Sequence, residues 1–222
     1  MQNWLDPEGI GNILTGVGLI LTGASLFIGV WQYGRDQRWK RKEFVAEKYN
    51  EIRSDPHTDL AMRMLDSAHG VYKLPEDTQV ENNASFYASH WTLAVAFIPT
   101  DIAGYPGWDE RFISIRRCFE KFFDHLETME DMRRSKLFSA EELDVYLGYW
   151  GKMLQSHRWN RKVSRNIAMY MQRYDFVGSL NLFEAMGYEM HPTDKDFEEL
   201  KKECQDGYWI SKVKQKRDEG RF

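Results

Sequence analysis

Between Gly9 and Gly34 the chain carries no charged residue, and this stretch limits what the first part of the molecule can become. As an α-helix rising about 1.5 Å per residue, the apolar run from Ile10 to Tyr33 is roughly 36 Å long. A bilayer's hydrocarbon core is about 30 Å thick and takes roughly 20 such residues, so the run spans it with some tilt. Two other readings compete. A helix buried in a soluble core needs apolar surroundings on every side, and an element at the edge of a domain has little room for them. A cleaved signal peptide needs a basic leading segment and an apolar run of only about 7–15 residues. Met1 to Gly9 instead carries Asp6 and Glu8 and no Lys or Arg, and no clean small-x-small site precedes the next charges. A retained transmembrane helix is the expectation.

The flanks predict its orientation. Arg35, Arg38, Lys40, Arg41 and Lys42 follow the run, whereas only acids precede it. Cationic flanks stay on the cytoplasmic side, which puts the N-terminus outside and the remaining chain inside, as a single-pass protein of the inner (plasma) membrane. Trp4 on one side and Trp31 and Tyr33 on the other suit the two interfacial belts. The same five cations are candidate contacts for anionic lipid headgroups, at about 1 kcal/mol each near the surface, although a topology signal alone explains them equally well.

Inside the run, Gly11, Thr15, Gly18, Thr22, Ser25 and Gly29 recur at alternating spacings of four and three, which places them on one helical stripe. Small residues let a second helix approach closely where lipid supplies no hydrophobic drive. The stripe therefore points to self-association or to docking on another membrane protein. Gly and Thr are also common in membrane helices, and Gly16 and Gly23 lie off the stripe.

The segments expected are residues 1–9 as a short extracytoplasmic end, 10–33 as the span, 34–54 as a basic stalk, 55–205 as a helical cytosolic domain and 206–222 as a basic, frayed tail. Asp55-Pro56 stops the stalk, because the residue before proline avoids the helical region. Helices are predicted over Thr58–Val71, Val80–Ile98, Asp109–Arg134, from Ser139 past Leu154, Asn160–Tyr174 and Ser179–Met186, with a last one starting at Thr193-Asp194. The clearest is Asp109–Arg134, in which Phe112, Ile115, Phe119, Phe122, Leu126 and Met129 repeat every three or four residues. Ser139 and Glu142 form a capping box, and Gly187 stands where a helix C-cap is expected. No segment shows sustained two-residue alternation, and no hairpin turn signal lies between apolar runs. The fold class read here is all-α: one N-terminal transmembrane helix followed by a helical bundle.

Catalytic motifs are absent from the sequence: no phosphate-binding glycine loop, no dinucleotide fingerprint, no zinc-protease helix and no nucleophile elbow. Arg63 and His69 give an R-x5-H spacing on one predicted helix. That spacing resembles the signature of HEPN ribonucleases, helical-bundle enzymes in which such a pair acts on a phosphodiester. The resemblance implies His69 as general acid or base and Arg63 as the group steadying phosphate charge. Met64 stands where that family prefers a polar residue. Asp124, His125, Glu127 and Glu130 look like metal ligands in print, but a di-iron bundle needs Glu-x-x-His on two helices. A solvated acidic face is the simpler reading, so neither metal nor cofactor is expected. Arg158, Arg161, Lys162 and Arg165 form a basic patch, read as a solvated helix face rather than a membrane or partner contact. Cys118 and Cys204, far apart and outside any Cys/His cluster, read as reduced thiols. A net charge of −4 gives no basic excess, and no nucleic-acid partner is expected.

Over Arg38–Leu65 and Phe119–Trp150 the arrangement resembles uncharacterised bacterial proteins that join one N-terminal span to a helical cytosolic domain of unknown function. That resemblance brings no activity with it. Three functional readings stay open: a membrane-tethered interaction or assembly module without catalysis, an oligomeric effector that perturbs the bilayer, and a HEPN-like ribonuclease or nucleotide hydrolase.

Overall fold

The structure, a computed structural model, describes residues 7–67, 69–78, 85–107, 109–155 and 161–218. It divides into two compact units, one ending at Phe44 and the other beginning at Val45. Among the described residues it is all-α, with nine α-helices and a single two-stranded hairpin.

Helix α1 runs from Pro7 to Ser54, so the apolar run and the charged segment after it form one uninterrupted helix. Nothing between them breaks it, since neither Pro nor a turn signal intervenes before Asp55-Pro56. Asp55 is extended (φ −71°, ψ 121°) and its carboxylate accepts from the backbone N–H groups of His57 and Thr58, both at 2.9 Å. One dipeptide thus ends α1 and caps α2 (Pro56–Asp66), with Pro at the position where a missing N–H costs nothing.

In the second unit the core gathers on α4 (Glu110–Arg134). Its predicted stripe is fully inside: Phe112, Ile115, Phe119, Phe122, Leu126 and Met129 are each at most 2% exposed. Helices α2 and α7 (Val177–Ala185) pack against it, and α3 (His90–Ala96) lies between α4 and α6 (Arg161–Arg173). Phe97, at the end of α3, meets Phe119 edge-on at 4.8 Å and Tyr170 at 5.2 Å. Such contacts add roughly 0.5–1.5 kcal/mol each to area burial. Helix α5 (Ala140–Gln155) begins as expected, with Ser139 N–H donating to Glu142 and Glu142 N–H to Ser139 Oγ. Helix α8 (Asp194–Gln205) begins with a second capping box, Thr193 with Asp196.

Three boundaries differ from the sequence reading. Helix α2 ends at Asp66 rather than Val71, and Gly70–Lys73 forms strand β1. Strand β2 (Ser85–Ala88) and then α3 occupy the segment expected to be helix from Val80; residues 79–84 lie outside the described residues. The strands pair antiparallel, with Val71 opposite Tyr87 and Tyr72 opposite Phe86. Only four residues alternate on each strand, and the connection far exceeds a two-residue turn, so neither signal of a hairpin was present. Tyr72 and Phe86 turn one face into the core, and Ser89 caps α3 through Thr92, a weaker signature than Ser-x-x-Glu.

The third difference concerns the basic tail. Tyr208–Asp218 forms helix α9, with Trp209 1% and Val213 6% exposed. Trp209, its ring 6.5 Å from that of Trp91, and Val213 are buried one turn apart, and α9 packs on α8, so this stretch packs rather than frays.

Candidate functional site

The apolar half of α1 is bare. None of its most apolar window is buried inside the protein, and Leu19, Ile20, Phe27 and Val30 are each at least 70% exposed. By length and composition α1 is a candidate membrane-spanning helix. On its small-residue stripe, Thr22 donates to the Gly18 carbonyl and Ser25 to the Leu21 carbonyl, each at 2.8 Å. These hydroxyls are satisfied within the helix, as an apolar surrounding demands. A Cβ placed on Gly18 or Gly29 would meet no atom within 4 Å. Thr15 continues the same face, and Gly11 lies in the helical backbone nearer its start. Beyond the apolar run, Arg35 lies over the Trp31 ring at 5.2 Å, and Arg38 donates to the Gly34 carbonyl at 3.4 Å. Lys40, Arg41 and Lys42 are exposed around Trp39, itself 70% exposed.

Arg63 and His69 are not on one helix. Arg63 is on α2 and pairs through Nε with Asp59 at 2.9 Å; His69 lies beyond the helix end, on the approach to β1. His69 Nδ1 is 3.3 Å from the Tyr87 hydroxyl, and its ring meets His90 edge-on at 5.0 Å. Burial, and then the neighbouring His69, hold His90 below the ordinary histidine range. The helix ends at Asp66, where Ser67 leaves helical geometry (φ −120°, ψ 88°) after its N–H closes the last turn onto Arg63, and the Tyr72 hydroxyl donates to the Ser67 carbonyl. The one-helix geometry implied by the HEPN resemblance is therefore missing.

The other charged clusters hold the fold together. Glu127 accepts from the Ser179 N–H at the start of α7, and Glu130, with only 2% of its side chain exposed, pairs with Arg133 at 2.7 Å. These two carboxylates are engaged internally, which corrects the reading of a wholly solvated acidic face. Among the described residues, no group of three His, Cys, Asp or Glu side chains is placed to hold a metal ion. The basic patch on α6 is likewise not a free face. Arg161 pairs with Asp196 and Glu199, Lys162 with Glu203, and Arg165 with Glu199 and Glu203. Only the acidic side of α8 brought alongside explains this, and no local signal in α6 could have announced it. Arg158 lies outside the described residues. Burial pushes the Cys118 thiol up to about 12; burial and then Glu203 push Cys204 up to about 11. Neither supplies a thiolate at neutral pH, so neither is a ready nucleophile.

One cleft was not foreseen. The end of α1 (Tyr49, Arg53), α2 (Asp59, Met62, Arg63, Asp66) and α5 (Tyr149, Trp150) enclose about 380 Å³. The Tyr149 hydroxyl donates to Asp66, and its ring stands edge-on to Trp150 at 4.9 Å and 83°. That hydrogen bond to Asp66, with burial second, raises the Tyr149 phenol above its usual range. The residues are spread over about half the chain, so no linear motif could reveal them.

What the fold and these sites define is a class: an all-α domain preceded by one helix long and apolar enough to cross a membrane. No known protein family, curated protein or solved structure matches the chain.

Proposed function

We propose that the protein is a membrane-tethered interaction or assembly module. In this reading the first part of α1 lies in the inner membrane with its N-terminus outside, its small-residue stripe packs on another span, and the helical domain works in the cytosol. The observation that carries it is the bare apolar surface of α1. Leu14, Val17, Leu19, Ile20, Leu21, Leu26, Phe27, Ile28 and Val30 are all 48% exposed or more. At about 1.5–3 kcal/mol for each such side chain left in water, α1 alone would forgo as much as the whole stability of an ordinary domain, about 5–15 kcal/mol. A core helix of a soluble protein would be covered; this one is not. Lipid, with a second span along the stripe, covers it at no such cost.

The basic flank supports the orientation, and Arg35, Arg38, Lys40, Arg41 and Lys42, all exposed, would meet anionic headgroups at the membrane surface. The test is membrane fractionation with alkaline extraction, together with a topology reporter fused after Phe222 and cross-linking in cells. Retention in the extracted membrane, a cytosolic reporter and a cross-linked band support the reading. A soluble protein, an external reporter or a lone monomer refutes the corresponding part.

A further inference from the structure

The cleft of α1, α2 and α5 combines two features. The first is a rigid aromatic platform. Tyr149 is 51% exposed, yet its ring is fixed from two sides, by the hydroxyl bond to Asp66 and by the edge-on contact with Trp150. A half-exposed aromatic whose hydroxyl is already held loses less entropy when a planar group stacks on it. The second is a pair of guanidinium groups with donors to spare. Among the described residues Arg53 makes no ion pair, and Arg63 reaches Asp59 through Nε at 2.9 Å. The terminal nitrogens of both remain available in the fork geometry that matches phosphate oxygens.

We infer that this cleft binds a nucleoside monophosphate, with the phosphate held by Arg53 and Arg63 and the base stacked on Tyr149. The volume, about 380 Å³, lies toward the low end of small-molecule sites, which run about 300–1,000 Å³, and so fits one nucleotide unit. Asp59 and Asp66 line the same cleft. Their charges disfavour a polyphosphate, and the second oxygen of Asp66 can accept from an exocyclic amine. This inference stands apart from the proposed membrane role: either can fail while the other holds.

The experiment titrates the full-length protein in detergent micelles with AMP, GMP, CMP and UMP, and with glycerol-3-phosphate and inorganic phosphate as ringless controls, by calorimetry. Saturable binding of at least one nucleotide, tighter than both controls by about tenfold as base–aromatic stacking supplies, is the expected result. Tyr149→Ala should bring that nucleotide down to the level of the controls, and Arg53→Gln with Arg63→Gln should weaken nucleotide and controls alike. All three side chains are at the surface, and circular dichroism checks that each variant keeps its helices. Absence of saturable nucleotide binding by the unaltered protein overturns the inference. So does equal binding of glycerol-3-phosphate, or a Tyr149→Ala protein that binds as before.

Discussion

Arg165 on α6 and Glu203 on α8 meet at 2.7 Å with only 3% and 14% of their side chains exposed. Lys162 reaches the same carboxylate at 2.7 Å and lies 3.8 Å above the Tyr208 ring, so one acid joins α6 to the α8–α9 hairpin. Removing Glu203 would leave the Arg165 charge buried, with Glu199 at 3.4 Å as its remaining acidic partner.

Glu203→Ala is accordingly expected to cost about 1–3 kcal/mol, the loss of charged hydrogen bonds with a second acid still within reach of Arg165. Its pH dependence has a definite sign. Burial alone would raise the Glu203 pKa, but hydrogen bonds from Arg165 and Lys162 and their charges outweigh it and hold the value below 4.5. The pair's contribution is therefore complete above pH 4.5 and is lost as pH falls through the depressed native value. Thermal unfolding of the detergent-solubilised protein from neutral to acid pH checks this: the gap between wild type and Glu203→Ala should shrink toward acid. A gap that is constant with pH argues that Glu203 acts by packing alone.

Gly104 fixes a backbone contact of a different kind. It sits at φ +86°, and a Cβ there would lie 2.3 Å from the Cys204 carbonyl oxygen at the end of α8. Main chain cannot yield as a side-chain tip can. Gly104→Ala should destabilise the domain by at least about 2 kcal/mol, from left-handed strain together with the clash. Chemical denaturation reads it, and Gly107→Ala, also at positive φ but with open space around it, should cost less. Equal losses would mean that the approach to α8 is unimportant.

A charge in the middle of the apolar run tests whether lipid surrounds it. Ile20 is 73% exposed along α1. Ile20→Arg should make membrane insertion less favourable by about 2.5–3.5 kcal/mol if the residue sits near the bilayer centre. A glycosylation-mapped insertion assay measures the shift, and an unchanged inserted fraction would argue against the span.

The stripe makes a prediction specific to one face. Gly18→Leu should weaken self-association in a membrane dimerisation assay, because it fills the space through which a second helix would approach. Gly23→Leu, off the stripe and equally without neighbours, should leave association unchanged. If both variants behave alike, the periodicity has no bearing on assembly.

Long-period features were legible before any coordinates. The uncharged run of α1, its stop at Asp55-Pro56, the six-residue core stripe of α4, the Ser139 capping box and the helix start at Thr193 act through immediate sequence neighbours, and each appears where the spacing put it; the cap that Asp55 adds to α2 was not foreseen. Intrinsic preference and local hydrogen bonding decide such elements. The β1–β2 hairpin was not legible, because four residues per strand give too little alternation and its stability comes from Tyr72 and Phe86 packing inward. Tertiary structure also decided what the charges do. Arg161, Lys162 and Arg165 look like a solvated face until Asp196, Glu199 and Glu203 arrive from α8, and Arg63 and Tyr149 share a cleft only once α2 and α5 pack. Coulombic and stacking contacts depend on distance in space, and a linear sequence carries no measure of that between helices.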